Sequence, residues 1–254
     1  MLKLHALAGF PPSQAALWIL GVFLVVPALS AALEANPNPP PYLGEAYDLK
    51  SYQLVYRESH QEYFTNGLKT GTYTSFQDPQ GHVIAERRLD FSRSSVKPDY
   101  TFKDFRDGYE EGANVLGAQV RVFYRDAGEE KLHEKVLTVP EPYVIDGGFN
   151  AFLKQNWDSL TAGRRIHFHF VAPARLDYFS FVAHEDPGRV PKGKIARAFV
   201  VEVDNSLLRL LVSPIVVLYD PSTRRMMQYQ GISNIGDGKG KSLKVNLVYP
   251  ETGP

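Results

Sequence analysis

Two histidines on one predicted strand are the first residues in this sequence that could do chemistry. His167 and His169 alternate with phenylalanines in RIHFHFVAP, and such alternation predicts a strand. Because successive side chains of a strand point to opposite faces, both imidazoles would share one face, about 7 Å apart along the strand. Histidines at this spacing can bind one metal ion, and His184, on the next predicted strand, could add a ligand.

The same spacing also occurs in an ordinary strand that has one apolar and one polar face. The cupin family, which uses such a histidine pair, has a glycine six residues before the first histidine, whereas Gly163 is four residues before His167. No motif identifies the additional partners that a metal ligand requires. We therefore predict no metal and no cofactor, with His167 and His169 as candidate ligand-binding residues. A metal site of His167, His169 and His184 is the alternative.

Other common catalytic motifs are absent from the sequence. The loop GDGKGKS has Ile235 where a phosphate-binding loop needs its first glycine, and a predicted strand follows it. The serine-hydrolase pattern G-x-S-x-G does not occur, and the absence of cysteine excludes thiol catalysis. We expect the acidic segment KDFRDGYEEG, residues 103–112, to be a solvated turn. A non-enzymatic protein is thus favoured over a hydrolase or metal-dependent enzyme centred on His167 and His169.

The elements that would position these residues are mostly strands. The chain has 14 Tyr and 15 Phe, which favour strands, and 20 Gly and 18 Pro, which favour turns. Alternating segments separated by turn signals such as Asn66-Gly67 predict about ten or eleven strands, paired in sequence order. A sheet of that size tends to curl or close. The predicted fold is mainly β, a curved antiparallel meander that forms a half-barrel or barrel.

One segment has helical rather than strand periodicity. Residues 147–163 place five apolar side chains at intervals of three and four, and Gly163 follows where a helix would stop. These side chains are Phe149, Phe152, Leu153, Trp157 and Leu160. We predict one amphipathic helix that covers the concave side or one end of the sheet.

The N-terminal residues indicate export. An uncharged apolar run of 19 residues, AALWILGVFLVVPALSAAL, ends in small residues that suit signal peptidase. We predict a signal peptide over residues 1–32, with an N-terminal anchor as the alternative, then a Pro-rich linker over 33–48 and a single β-rich domain over 49–250. The protein would be periplasmic or associated with the bacterial envelope.

The charge balance argues against nucleic acid as a partner. The whole chain has 28 basic and 28 acidic residues, and residues 1–32 contain one lysine and no acid. The remaining chain therefore has a net charge of −1 by this count of its residues. A nearly neutral chain has no strong electrostatic attraction to nucleic acid.

Three phrases of the sequence resemble a family of uncharacterised exported bacterial β-rich proteins. They are VIDGGFNAFLKQNWDSLTAG, FHFVAPARLDYFSF and YDPSTRRMMQYQGISNI, and the resemblance covers most of residues 50–250. The segment YDPSTRRMMQYQG also resembles a strand-turn-strand of half-barrel lipoprotein carriers of the envelope. No activity is carried over from this resemblance. The export signal, a meander rich in Phe and Tyr, one covering helix and the lack of a catalytic motif favour an envelope protein that binds a lipid or other hydrophobic ligand, or a partner protein. A structural or assembly module is a third possibility.

Overall fold

The computed structural model describes residues 41–205, 213–237 and 242–250. Within these residues, fifteen strands form one sheet and two short helices pack against it. The strands are β1 (Tyr42–Asp48), β2 (Leu54–Thr65), β3 (Leu68–Gln77), β4 (Val83–Asp90), β5 (Asp99–Asp104), β6 (Glu110–Leu116), β7 (Gln119–Arg125), β8 (His133–Leu137), β9 (Tyr143–Ile145), β10 (Ile166–Ala172), β11 (Asp177–Glu185), β12 (Arg197–Val203), β13 (Ile215–Tyr219), β14 (Met226–Gly236) and β15 (Ser242–Val248). The helices are α1 (Gly148–Gln155) and α2 (Trp157–Thr161).

The strand order explains how a chain of this length makes one curved sheet. The order is β8-β7-β6-β5-β4-β3-β2-β1-β15-β14-β13-β12-β11-β10-β9, so the first and last strands pair in the middle. Neighbouring strands are antiparallel except β9 and β10, which are parallel. The two ends of the sheet, β8 and β9, follow each other in the chain. The predicted curved antiparallel β fold is confirmed.

Contacts between distant strands show the curvature of the sheet. The hydroxyl oxygens of Tyr56 on β2 and Ser233 on β14 are 2.9 Å apart, although β1 and β15 separate these strands within the sheet. The short helical turn Pro173–Arg175 packs against β6 and β7, near the opposite end of the sheet. The sheet therefore curls around an interior, as twisted sheets of many strands tend to do.

The sheet contains more strands than the sequence pattern predicts. Strand β1 occupies part of the expected linker 33–48, so the sheet already begins at Tyr42. Strand β6 lies partly in the acidic segment 103–112, where Asp104 and Glu111 are 5% and 8% exposed. The expectation of a solvated acidic turn is therefore wrong for these two residues. Strand alternation is hidden there because both faces of β6 carry polar side chains.

The predicted helix over 147–163 is divided into two helices at Asn156. The side-chain amide of Asn156 donates to the Phe152 carbonyl at 2.9 Å, and its φ and ψ of −95° and 12° leave the α-helical region. Asparagine favours such local bonds over helix continuation. Gly163 ends the segment with φ +79°, as its position predicts.

Both helices bury the apolar face that the spacing indicates. The Phe152 ring packs on Phe168 of β10, with centroids 4.6 Å apart. Trp157 meets Phe199 of β12 edge-on at 5.0 Å. Burial of each such aromatic side chain contributes about 2 kcal/mol or more. The helices are thus attached to the sheet by aromatic packing.

The predicted signal peptide, residues 1–32, lies outside the described residues. Among the described residues, no helix is long and apolar enough to cross a bilayer.

Candidate functional site

The curved sheet and α1 surround a cavity of about 920 Å³. Helix α1 contributes Phe149, Asn150 and Lys154 to its wall. Apolar side chains such as Leu89 and Phe170 form other parts of the wall. Six tyrosines also line the cavity, namely Tyr42, Tyr56, Tyr100, Tyr109, Tyr229 and Tyr249. The wall is therefore a mixture of polar and apolar groups rather than purely hydrocarbon.

One transverse row of the sheet brings three ionisable groups, His60, Arg87 and Glu111, to the cavity. The strand register aligns His60, Thr74, Arg87, Phe102 and Glu111 on neighbouring strands β2 to β6. Residues directly opposite each other on paired strands share a face of the sheet. Because His60 and Arg87 line the cavity, the whole row belongs to the inner face.

Glu58 and His60 form a buried pair on β2. His60 Nε2 is 2.7 Å from Glu58 Oε2, and His60 Nδ1 is 3.0 Å from the Thr74 hydroxyl. The Tyr249 hydroxyl also donates to Glu58 Oε2 at 3.2 Å, and the Tyr42 ring stacks on the imidazole at 4.5 Å. Both ring nitrogens of His60 thus have partners, which sets the orientation of the ring.

The hydrogen bonds of Glu58 outweigh its burial. Burial alone would raise the pKa of this carboxyl, but the hydrogen bond and charge of His60, together with the charge of Arg87, hold the pKa below its usual range. Glu58 is only 4% exposed. It is therefore a buried carboxylate that stays ionised near neutral pH.

Glu111 has a different environment, in which its hydrogen-bond donors are neutral. Tyr100 donates to Oε1 at 2.6 Å and Tyr109 donates to Oε2 at 2.9 Å. The Asn234 amide lies 3.3 Å from Oε1. Burial raises the pKa of Glu111 above its usual value, although both tyrosine hydrogen bonds oppose this effect, and the nearby charge of Asp146 adds to it. Glu58 and Glu111 thus have pKa shifts of opposite direction within one cavity.

Arg87 is a cation between these carboxyl groups. Its Nη1 is 3.4 Å from Asp146 Oδ2, and its guanidinium lies 5.7 Å from the centre of the Phe76 ring. Burial alone would lower the pKa of Arg87, but the charges of Asp146 and Glu58 raise it above the usual value. Asn234 Nδ2 is 3.4 Å from Asp146 Oδ1, and so joins Asp146 to the Glu111 cluster.

Two inward polar atoms have no hydrogen-bond partner among the described residues. They are the Thr72 hydroxyl and Arg87 Nε, and both side chains line the cavity. Thr72 is 6% exposed. A buried polar atom without a partner is costly, so each such atom requires an explanation. A bound polar group is one explanation that fits a cavity wall.

The predicted histidines lie away from this cavity. Phe168 packs beneath α1, and His167 and His169 belong to the opposite face of β10. His167 is exposed and its Nδ1 is 2.6 Å from Asp204 Oδ2. His169 is half-buried, with its ring edge-on to Tyr178 at 5.3 Å and its Nδ1 without a partner among the described residues. Ligand binding by His167 and His169 stays a prediction.

His184, the third predicted ligand of the alternative metal site, also lies on that face of the sheet. Its Nε2 is 3.5 Å from Glu202 Oε1, and its Nδ1 is 3.2 Å from the Glu185 carbonyl. Among the described residues, no group of three His, Asp or Glu side chains could hold a metal ion.

Sequence reasoning missed the cavity residues, although a signal for them exists. Tyr56 and every second residue after it, Glu58, His60 and Glu62, share one face of β2. Three polar residues therefore continue the face on which Tyr56 is buried. Polar residues on a predicted core face indicate a polar interior, which is the pattern that could have identified this site.

These features define a class of barrel-like β proteins with a partly polar interior. No protein-family model matches the chain, and no curated protein matches it. Among solved structures, it is similar to a beta-barrel-like protein of domain of unknown function DUF1849 from Brucella abortus. The TM-score is 0.50 and the identity is 8%, over 85% of this chain and 99% of that chain. At this identity, the similarity shows the fold alone.

Proposed function

We propose that this is an exported, non-enzymatic binding protein of the bacterial envelope that holds a small ligand inside its curved sheet. The cavity itself is the observation that carries the proposal. Its volume of about 920 Å³ is within the range of small-molecule sites. Its wall combines apolar surface with many polar and charged groups, so it is more polar than the usual small-molecule site.

The chemical composition of the cavity wall also indicates which kind of ligand would fit. Glu58, Arg87 and Asp146 are charged groups of the interior, and a purely hydrocarbon ligand would remove them from water without replacing their hydration. Leu89, Phe170 and other apolar residues offer contacts for a hydrophobic part. An amphipathic molecule meets both the polar and the apolar requirement. The proposed ligand is therefore a hydrophobic molecule, as the sequence predicts, that also carries a polar group.

Native mass spectrometry of protein purified from the periplasm tests this function. A ligand that co-purifies would add a constant mass under native conditions and be lost on denaturation. Ala127→Trp and Ala174→Trp place a large side chain at exposed positions of the cavity wall, and we expect both variants to lose the ligand. Gln80→Trp, at an exposed turn outside the wall, is the matched control. Ligand bound equally by all three variants would contradict the proposal.

The mass of the same sample tests export. Cleavage after Ala32 would give a chain that starts at Leu33 and is recovered in the periplasmic fraction. An intact N-terminus in the membrane fraction would instead support the anchor alternative.

A further inference from the structure

We propose that the ligand carries a protonated amine, which binds at Glu111 as the counter-ion of this carboxylate. The inference rests on the proposed ligand-binding function and names the chemistry of its ligand.

The partners of Glu111 distinguish it from other carboxylates of the cavity wall, since Glu58 pairs with His60. Asp146 is close to the Arg87 guanidinium, and Asp104 accepts from Arg106 Nε at 2.9 Å. The side chains that hydrogen-bond to Glu111 are those of Tyr100, Tyr109 and Asn234, all of them neutral. Among the described residues, no cation forms an ion pair with Glu111. Buried charges in proteins are normally paired, so a positive group is the complement that this carboxylate lacks.

The charges around Glu111 also favour a cation. Asp146 is joined to Glu111 through Asn234, so two carboxylates border the same part of the wall. Arg87 balances one of them. Among the described residues, the wall contains seven acidic side chains, including Asp107 and Asp126, and five Lys or Arg side chains, so acidic groups are in slight excess. The Tyr109 hydroxyl leaves an acceptor lone pair beside the carboxylate, which an ammonium group can also use, whereas the Tyr100 hydroxyl already accepts from Asn234 Nδ2 at 3.0 Å.

A second and independent observation is the Thr72 hydroxyl. Thr72 is 6% exposed, lines the same cavity and has no hydrogen-bond partner among the described residues. It lies on β3, three strands from Glu111 and two residues outside the Glu111 row, which is about 14 Å across the strands and about 7 Å along them. A hydroxyl can donate to an oxygen of the ligand. A ligand that contacts both Glu111 and Thr72 therefore has an amine at one end and an oxygen acceptor at the other.

Such an amine could belong to a free polyamine or to the head group of an aminated lipid. Calorimetry with the full mature protein separates these sources and tests the charge. The first set is 1,4-diaminobutane, 1,4-butanediol and succinate, which have similar length and different charge. The second set is dihexanoyl phosphatidylethanolamine and dihexanoyl phosphatidylglycerol. We expect the amine-bearing member of at least one set to bind, and the diol, diacid and phosphatidylglycerol to bind at least tenfold more weakly.

Glu111→Gln keeps the shape and one of the two acceptor oxygens but removes the charge. We expect this variant to weaken amine binding by roughly tenfold or more, because charge-assisted hydrogen bonds are about twice as strong as neutral ones. Glu110→Gln is the matched control, since Glu110 is the neighbouring residue on β6 and pairs with Lys103 and Arg125 on the other face. Thr72→Val should weaken binding of phosphatidylethanolamine, which has oxygen acceptors, and leave diaminobutane binding unchanged.

The outcomes separate this inference from the proposed function. The amine assignment is overturned if succinate or phosphatidylglycerol binds more tightly than the amine-bearing probes. It is also overturned if Glu111→Gln binds the amine as tightly as the unsubstituted protein. Either result leaves the proposed ligand-binding function standing. If no probe binds, the chemistry of the co-purified ligand tests the amine assignment. A ligand without an amine overturns the assignment, and a ligand with an amine supports it. No binding of any probe and no co-purified ligand overturns both proposals.

Discussion

His60 Nε2 and Glu58 Oε2 lie 2.7 Å apart inside the curved sheet, on side chains two residues apart along β2. The pair faces a cavity rather than solvent, and both residues are less than 5% exposed. A strand of this kind would usually bury apolar side chains at these positions. The interior is therefore organised by ionisable groups whose surroundings shift their pKa values, and this organisation leads to measurable consequences.

Replacement of Glu58 by Gln should destabilise the protein near neutral pH. The pKa of Glu58 is held below its unfolded value of about 4.3, so its ionised form contributes stability above that pH and loses this contribution as the pH falls. We expect the free energy of unfolding of Glu58→Gln to be lower by about 1–3 kcal/mol at pH 7 and by less below about pH 4. Denaturant unfolding followed by Trp157 fluorescence measures this. Glu86→Gln, in an outward pair with Arg88, should change stability by less than about 1 kcal/mol. Equal losses in both variants would contradict the prediction.

Replacement of Glu111 by Gln should have the opposite effect on stability. Burial raises the pKa of Glu111 above its unfolded value, so this carboxyl lowers the free energy of unfolding as the pH rises above the unfolded value, and the loss is complete once the pH exceeds the folded pKa. We expect Glu111→Gln to be more stable than the unchanged protein at pH 7, by about 1 kcal/mol. The advantage should disappear below about pH 4, where the carboxyl is protonated in both states. A destabilised variant at pH 7 would show that the tyrosine hydrogen bonds outweigh burial.

Two threonines on β3 form a matched pair for testing hydrogen bonds in the interior. The Thr72 hydroxyl has no partner among the described residues, so Thr72→Val should leave stability unchanged or raise it by up to about 1 kcal/mol. The Thr74 hydroxyl lies 3.0 Å from His60 Nδ1, so Thr74→Val should cost about 1–2 kcal/mol. Thermal unfolding of both variants at pH 7 measures the difference. Equal effects of the two substitutions would refute this distinction.

Removal of the Trp157 side chain should loosen the contact between α2 and the sheet. The indole packs edge-on against Phe199 at 5.0 Å and Tyr219 at 5.7 Å, and it is 5% exposed. We expect Trp157→Ala to cost about 3–5 kcal/mol, as large-to-small changes in packed cores do. Trp157→Phe should cost less because it keeps an aromatic ring. Circular dichroism is the suitable measurement, since Trp18 is the only other tryptophan and lies in the predicted signal peptide. A loss below about 1 kcal/mol for Trp157→Ala would mean that the helices contribute little to the core.

Local periodicity was sufficient to predict the class of fold. Alternation predicted strands, and their number implied a curved sheet, because a twisted sheet of many strands curls. The spacing of Phe152 and Trp157 predicted the helical face that packs on the sheet, and Gly163 predicted its end. These features depend on near neighbours in the chain. The break at Asn156 was missed because it depends on one side-chain hydrogen bond to a backbone carbonyl.

The tertiary structure alone decided which side of each strand faces the cavity. In RIHFHFVAP, alternation correctly groups His167 with His169, but it cannot say that Phe168 is the residue beneath α1. The acidic residues of 103–112 have the composition of a turn, yet Glu111 becomes an interior group through Tyr100 on β5 and Asn234 on β14. Periodicity determines which side chains share a face. The direction in which the sheet curves, and hence which face encloses the cavity, depends on contacts between strands far apart in sequence, such as Tyr56 with Ser233.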